Sequence, residues 1–379
     1  MGEAAASVHC SLHVQFGQAA GFAGGKMTIV ASPRDPVRAG SWPSAKAPIR
    51  PLEEAVSWRE ALKLAIRSEA QLLEELELPA ELLGPAKLAS ASFPLFVPRE
   101  YVARMKKGDT RDPLLLQVLP LGAELDSPAG FTADPVGDLA AAKSAGLLKK
   151  YDRRALLITT GACAIHCRYC FRRHFPYSEG PRSVEEWEPA LEIIRRDKSL
   201  DEVILSGGDP LTLVDERLAQ LAQRLADIPH LQRLRVHTRL PIMIPQRVNG
   251  QLIAWLRGTR LAPIMVVHAN HANEIDDAVV AALGRLVDAG IPVLNQSVLL
   301  RGINDTVAAL IDLSCKLVDI RVMPYYLHQL DRVQGAAHFE VPVCRGIELI
   351  EEMRRHLPGY AVPRYVQEIA GDLNKRVLA

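Results

Sequence analysis

Short runs of β-branched and aliphatic residues recur at a steady interval from about residue 151 onward, and this repeat constrains the fold most. Segments with the helical spacing of apolar residues lie between the runs. Strands that alternate with helices about every 30 residues form parallel βαβ units. The pattern predicts an α/β fold, a partial (βα)6 TIM-like barrel, instead of a doubly wound sheet. The six runs are ALLIT (155–159), EVILS (202–206), RLRVH (233–237), IMVVH (264–268), VLNQSV (293–298) and IRVMPYY (320–326).

Polar residues gather where these predicted strands end. Ser206, Gly207, Gly208 and Asp209 follow the second run, and further polar residues end the later ones. In βα barrels the active site lies at the carboxyl ends of the strands. We therefore expect a functional site at this end of the barrel.

The N-terminal part of the chain differs in composition and lacks this repeat of strands and helices. Residues 1–50 are rich in Ala, Gly, Ser and Pro without periodicity, and we expect a poorly ordered extension there. Residues 51–148 are predicted to form a helical region, with an amphipathic helix at 56–77, and residues 149–379 the barrel domain. No Lys or Arg precedes Lys26, so the basic region of a signal peptide is missing, and Met27 is an alternative start.

The composition excludes several classes of protein. Lys and Arg number 45 and Asp and Glu 44, so no excess of positive charge is available for bulk binding of nucleic acid. A hydrophobic content of 48% excludes general disorder, and no apolar run is long enough to span a membrane. We expect a cytoplasmic protein with neither nucleic acid nor membrane as a partner.

Three cysteines fall close together just after the first predicted strand. Cys163, Cys167 and Cys170 have the spacing C-x3-C-x2-C. Three thiolates can hold three irons of a [4Fe–4S] cluster. The fourth iron is then open to the amino and carboxylate groups of S-adenosylmethionine, whose reductive cleavage yields a 5′-deoxyadenosyl radical.

A structural zinc site is the alternative, with His166 or His174 as the fourth ligand. Zinc sites commonly use two separated Cys pairs, and no second pair is present. The other cysteines are scattered and have no predicted role: Cys10, Cys315 and Cys344.

The turn formed by Ser206, Gly207, Gly208 and Asp209 is expected to hold the methionine amino group of S-adenosylmethionine. A backbone without Cβ atoms lets a ligand approach closely. An ordinary tight turn would account for the same residues.

In combination these motifs resemble the lysine 2,3-aminomutase family of radical S-adenosylmethionine enzymes, in particular the branch that makes (R)-β-lysine for translation elongation factor P. The resemblance extends from about residue 56 to the C-terminus. It is carried by CAIHCRYCFRRHFPY (163–177), LSGGDPL (205–211), HTRLPIMIPQR (237–247), NQSVLLRGIND (295–305) and PYYLHQLDRVQGAAHF (324–339).

The resemblance implies an isomerase that converts L-α-lysine into (R)-β-lysine by a radical 1,2-amino shift. It implies three cofactors, a [4Fe–4S] cluster, S-adenosylmethionine and pyridoxal 5′-phosphate. The implied partners are L-lysine, an electron donor of the flavodoxin or ferredoxin type, and, functionally, elongation factor P with its lysyl ligase.

The resemblance also implies the residues that hold pyridoxal phosphate. Lys375 corresponds to the lysine of the Schiff base, although the glycine run of the family reads AGDLN here. Lys316 is the other candidate, and its predicted helix suits a solvated surface position. Arg154 corresponds to the arginine that binds the cofactor phosphate, and its alternative role is a surface ion pair.

Three residues correspond to the family's substrate-binding positions. Arg172 is implied to bind the α-carboxylate of lysine, with Arg173 as a solvated neighbour. Asp305 and Asp331 are implied to bind the ε-ammonium, while Asp305 is equally suited to cap a helix. The histidines near the strand ends are given no role: His237, His268 and His271.

Two other functions stay open at this point. An aminomutase could release free β-lysine for metabolism, but such family members continue past the cofactor lysine, whereas this sequence ends four residues after Lys375. A zinc-stabilised barrel without catalytic activity would need neither the cofactor lysine nor an open metal position.

Overall fold

The computed structural model describes residues 56–144, 146–177, 183 and 185–379. The extension predicted at residues 1–50 lies outside these residues. Residues 56–379 form one compact unit, and the predicted division at residue 148 stays a prediction.

The strands of the described chain form one sheet in sequence order. Pairing is parallel from β3 through β9 and antiparallel for β1, β2 and β10 at its margins. The strands are β1 (Ala142–Ser144), β2 (Leu147–Leu148), β3 (Arg154–Thr160), β4 (Glu202–Gly207), β5 (Arg233–Thr238), β6 (Ala262–His268), β7 (Val293–Val298), β8 (Met323–His328), β9 (Arg364–Gln367) and β10 (Arg376–Val377).

The predicted partial barrel is therefore confirmed, with one addition. Strands β3 to β8 are the six predicted strands, and β9 is a seventh parallel strand that pairs with β8 through Tyr326 and Arg364. Its four residues follow a Pro-rich segment and are too few to show a periodicity.

Helices connect the parallel strands and precede the barrel. The connecting helices are α5 (Glu188–Arg196), α6 (Asp215–Ala226), α7 (Leu240–Met243), α8 (Gly250–Arg257), α9 (Asp277–Asp288), α10 (Val307–Asp319) and α11 (Val343–His356). The N-terminal helices are α1 (Trp58–Lys63), α2 (Glu69–Glu75), α3 (Leu83–Ser90) and α4 (Arg99–Val102).

The single helix predicted at 56–77 is wrong, because α1 and α2 are separate. Between them Ile66 leaves the helical path and exchanges backbone hydrogen bonds with Val97, at 2.8 and 3.0 Å. Ser68 then starts α2 by accepting a hydrogen bond from Gln71 N. A long-range backbone pairing of this kind leaves no trace in local apolar spacing.

Successive residues of each strand face opposite sides of the sheet, one toward the helices and one toward the inside of the barrel. Residues such as Val203, Leu205 and Val236 are fully buried and share one apolar core with the surrounding helices. Their neighbours in sequence, including Ser206 and His237, point to the inner face of the barrel. The inner face is thus polar toward the carboxyl ends of the strands, where the candidate site lies.

Candidate active site

The three clustered cysteines lie on the loop that follows β3. All three thiols are free and partly buried. The loop is attached to the N-terminal region through its backbone, since His166 N donates to Phe96 O and Arg168 N to Gln117 O, both at 2.9 Å.

Buried ion pairs fix the same loop. Arg168, between Cys167 and Cys170, donates to both carboxylate oxygens of Glu124 at 2.7 and 2.5 Å. Arg173 donates to Glu124 at 2.9 Å. All three charged side chains are almost completely buried, so the path of the cysteine loop is strongly specified.

The cysteine loop fits an iron–sulfur cluster better than a zinc ion. His166 Nδ1 lies 2.8 Å from Pro94 O and its ring stacks on Phe93, while His174 Nε2 lies 3.2 Å from Gln334 O. Both imidazoles proposed as a fourth zinc ligand are thus engaged elsewhere. Within the described ranges, no three His, Cys, Asp or Glu side chains converge as ligands of one ion.

Two of the thiols, those of Cys163 and Cys170, are poor anions when no metal is bound. Burial raises the pKa of Cys163 well above its usual value and that of Cys170 to about 11, and the neighbouring cysteines add to both effects. Coordination to a metal deprotonates a thiol outright. The set therefore suits a cationic iron centre.

The Gly207–Gly208 turn brings the end of β4 against the cysteine loop. Gly207 has φ +121°, and a Cβ there would lie 2.6 Å from Thr160 O. A Cβ on Gly208 would lie 2.3 Å from Ala162 O. Close packing of two backbones thus already requires both glycines, and it places Ser206–Asp209 directly beside the loop that carries the cysteines.

Asp209 joins the ends of β4 and β5. Its buried carboxylate accepts hydrogen bonds from Thr238 Oγ1 at 2.7 Å, Arg239 N at 2.7 Å and Leu240 N at 3.1 Å, and also from Leu211 N. Because protein donors use this carboxylate so fully, the side chain shapes the turn, and contact with a ligand would fall to the backbone.

Lys375 lies in a buried group of charged side chains. Its ammonium pairs with Glu368, whose other oxygen accepts from Lys150 Nζ at 2.8 Å. Although burial alone would raise it, the two lysines hold the pKa of Glu368 at about 2. Lys316, by contrast, lies on α10 and donates to Ala272 O.

Ion pairs continue from this group to the cysteine loop. Lys150 Nζ lies 2.6 Å from one oxygen of Asp138, and Arg172 Nε donates to the other at 2.6 Å. Arg172 Nη1 in turn donates to Ser206 Oγ at 3.3 Å. An unbroken chain of charged contacts therefore joins Lys375 to the residue two positions after Cys170.

Asp331 belongs to the same group of charges. Burial raises the pKa of its carboxyl to about 7, and the negative charge of Glu368 adds to this effect, while Lys375 and Lys150 oppose it. Asp331 makes no ion pair with any residue that the structure describes. It is thus a partly buried acid that lies near two lysines and pairs with neither.

Asp305 does not share these surroundings. It lies in a turn and accepts from Gly302 N at 3.1 Å, in an exposed contact. It is not the helix cap either, since Thr306 caps α10 by accepting from Ala309 N. Glu368, which sequence reasoning missed, follows β9 directly, and recognition of that strand would have been the only signal for it.

The remaining candidates line the barrel. Arg154 begins β3 with its guanidinium 4.6 Å from the centre of the Tyr151 ring, and it forms no ion pair within the described chain. His237 and His268 face each other on the inner surface, and burial lowers the pKa of His268 to about 3. His271 accepts from Asn273 N in a local turn.

Across the residues described here, no helix combines the length and the apolar character needed to cross a membrane.

Comparison with known proteins places these features in a family. Residues 157–247, from β3 to just beyond α7, match the Radical SAM superfamily. A radical SAM methyltransferase from Sphaerobacter thermophilus has 19% sequence identity and a TM-score of 0.43, covering 58% of this chain and 68% of that one.

Several curated relatives carry the name L-lysine 2,3-aminomutase, among them the three that follow. The protein of Haemophilus influenzae is 43% identical over 86% of this chain and 97% of its own length. That of Escherichia coli is 44% identical over 85% and 94%, and that of Clostridium subterminale 36% identical over 83% and 76%. With its radical SAM region, its cysteine loop and two relatives that match along almost their whole length, this chain belongs to the lysine 2,3-aminomutase family of radical S-adenosylmethionine enzymes.

Proposed function

We propose that the protein converts L-α-lysine into (R)-β-lysine. Membership of the family makes it an isomerase and implies a [4Fe–4S] cluster, S-adenosylmethionine and pyridoxal phosphate. The observation that carries the proposal is the chain of ion pairs from Lys375 to Arg172. These ion pairs join into one continuous site the lysine suited to form an imine with pyridoxal phosphate and the loop suited to hold an iron–sulfur cluster.

The residues for each cofactor follow from their positions. Cys163, Cys167 and Cys170 would hold the cluster, and the backbone of residues 206–209 would meet S-adenosylmethionine. Lys375 would hold pyridoxal phosphate, and the unpaired guanidinium of Arg154 suits its phosphate. Together the cofactors supply hydrogen abstraction and delocalisation of the unpaired electron during nitrogen migration.

The chain's own charges suit lysine as the substrate. Arg172 is buried and held in place by Asp138 through Nε and by Ser206 through Nη1, and the remaining N–H groups of its guanidinium would bind the α-carboxylate of lysine. Asp331 is a carboxylate that forms no ion pair with any described residue, and the ε-ammonium would pair with it. Glu368, beside it, completes an acidic pair, which we prefer to the pair of Asp331 and Asp305.

The product and the partners are also part of this proposal. (R)-β-Lysine would serve the modification of elongation factor P by its lysyl ligase, and a flavodoxin- or ferredoxin-like donor would reduce the cluster. A reducing, cytoplasmic location is supported by the described cysteines, all of which are free thiols.

Product analysis tests the function. The reconstituted protein is incubated anaerobically with L-lysine, S-adenosylmethionine, pyridoxal phosphate and dithionite, and the products are separated by chiral chromatography. We expect (R)-β-lysine, and none from the matched Cys163→Ala protein. Unchanged lysine beside cleaved S-adenosylmethionine, or conversion of a different amino acid only, would contradict the proposal.

A further inference from the structure

Arg239 connects the end of β5 to the cysteine loop. Its guanidinium is buried, and Nη1 lies 2.8 Å from Cys167 Sγ. It also lies 5.7 Å from the centre of the Tyr169 ring, which belongs to the same loop.

The direction of this N–H group is fixed by the other contacts of the guanidinium. Nη2 donates to Glu274 Oε2 at 2.8 Å and to Gln117 Oε1 at 2.9 Å, and Nε donates to His268 O at 3.3 Å. Gln117 and Glu274 are themselves joined by a hydrogen bond of 3.1 Å. Three acceptors on separate parts of the chain thus aim the remaining edge of the guanidinium at the sulfur.

The arginine keeps its charge in this buried place. Arginine is not deprotonated in proteins, and Glu274 pairs with this guanidinium at 2.8 Å. A cation is therefore held permanently beside the sulfur of Cys167.

We infer that Arg239 is a positioning residue that raises the reduction potential of the iron–sulfur cluster by donating a charged hydrogen bond to Cys167. The inference rests on the proposed function, in which Cys167 binds iron. A hydrogen bond and a positive charge at a ligand sulfur favour the cluster state that has gained one electron. The electron comes from the external donor, so the arginine eases the reduction that must precede cleavage of S-adenosylmethionine.

The test is a redox titration of the reconstituted protein without lysine or S-adenosylmethionine, followed by electron paramagnetic resonance. In Arg239→Gln, we expect the ratio of reduced to oxidised cluster at a fixed potential to fall about tenfold. For a one-electron couple this corresponds to a midpoint about 59 mV more negative. Arg239→Lys keeps the positive charge but loses the planar guanidinium. Its midpoint potential should therefore fall between those of the wild type and Arg239→Gln.

Arg247→Gln is the matched control. Arg247 is also buried, pairs with Asp215 at 2.8 Å, and donates its hydrogen bonds to oxygen atoms of Leu211, Leu213 and Asp215. Its loss perturbs the fold comparably and should leave the midpoint unchanged.

The outcomes separate the two claims. A wild-type protein that binds no cluster would overturn the proposed function and this inference with it. A wild-type cluster with the same midpoint in Arg239→Gln would overturn the inference alone. If Arg239→Gln does not assemble a cluster, Arg239→Lys decides, and a wild-type midpoint in that variant contradicts the inference.

Discussion

In the proposed function, Asp331 is the residue whose protonation would most directly report on substrate binding. Its carboxyl has a pKa raised to about 7, mainly by burial and next by Glu368. Only the carboxylate form attracts an ammonium group strongly. We therefore expect kcat/KM for lysine to rise with pH through the range near 7, because deprotonation of Asp331 prepares the site.

The pH profile of kcat/KM measures this effect, since that constant reports the ionisations of free enzyme and free substrate. In Asp331→Asn the rise should disappear. An identical profile in wild type and variant would assign the ionisation to another group.

Substitution separates the two acids that sequence reasoning grouped together. Asp331→Asn removes a buried charge that would face the substrate ammonium, and such a loss costs about 2–5 kcal/mol. At about 1.4 kcal/mol per decade, kcat/KM for lysine should fall roughly 30-fold or more. Asp305→Asn, the matched control in an exposed turn, should stay within about threefold of wild type. Equal losses of kcat/KM in both variants would instead support Asp305 and Asp331 as the pair that binds the ε-ammonium.

Lys375→Ala tests the cofactor lysine. The variant should lose the absorbance band of bound pyridoxal phosphate and retain the iron–sulfur spectrum, because Lys375 makes no contact with the cysteine loop itself. Borohydride reduction of wild type should label the peptide that contains Lys375. Labelling at Lys150, the neighbouring amine, would move the site.

The sequence predicted the individual residues of this site unequally. Cysteine spacing and a family motif were enough to select Cys163 and Arg172 as candidates, because both residues belong to one short continuous motif. Glu368 carries no motif, and its role follows only from the ion pair with Lys375. Asp305 was implied as a ligand by the resemblance alone, and in the structure its carboxylate accepts a hydrogen bond from Gly302 N, so its role stays a prediction.

At the scale of elements, the cysteine loop is held by one buried carboxylate. Glu124 pairs with Arg168 and Arg173, so Glu124→Gln leaves two buried guanidinium groups without their counter-ion. Removal of one partner from a buried pair costs about 3–5 kcal/mol. We expect a lower Tm and less iron per chain after reconstitution.

Glu192→Gln is the control for that experiment. Glu192 pairs with Arg195 and Arg196 on the surface of α5, where solvent screens the charges and an ion pair adds little to stability. Its Tm and iron content should match wild type. A normal iron content in Glu124→Gln would show that the loop keeps its path without this ion pair.

Element prediction succeeded where periodicity is strong and failed where tertiary contacts decide. Strands β3 to β8 alternate between the helical core and the inner face, and each was predicted from its apolar run. Strand β9 has four residues and depends on pairing with β8. Helices α1 and α2 are divided by the backbone pairing of Ile66 with Val97, which only the folded chain supplies.

For the whole molecule, a parallel barrel explains why residues far apart in sequence share one site. The loop after β3, the turn after β4 and the segment after β9 all extend from the carboxyl ends of parallel strands. Sequence reasoning could predict this convergence from topology. It could not predict the ion pairs through Lys150 and Asp138 that join the two halves, because neither residue belongs to a recognised motif.

The central claim is that one site performs a migration of nitrogen within a single lysine molecule. The most direct measurement uses lysine labelled with ¹⁵N at the α-amino group and ¹³C at C3, turned over anaerobically and followed by ¹³C NMR. We predict a product whose C3 signal is split by coupling to ¹⁵N, even when unlabelled lysine is present in excess. A product without that coupling, or lysine left unchanged while S-adenosylmethionine is cleaved, would contradict the account.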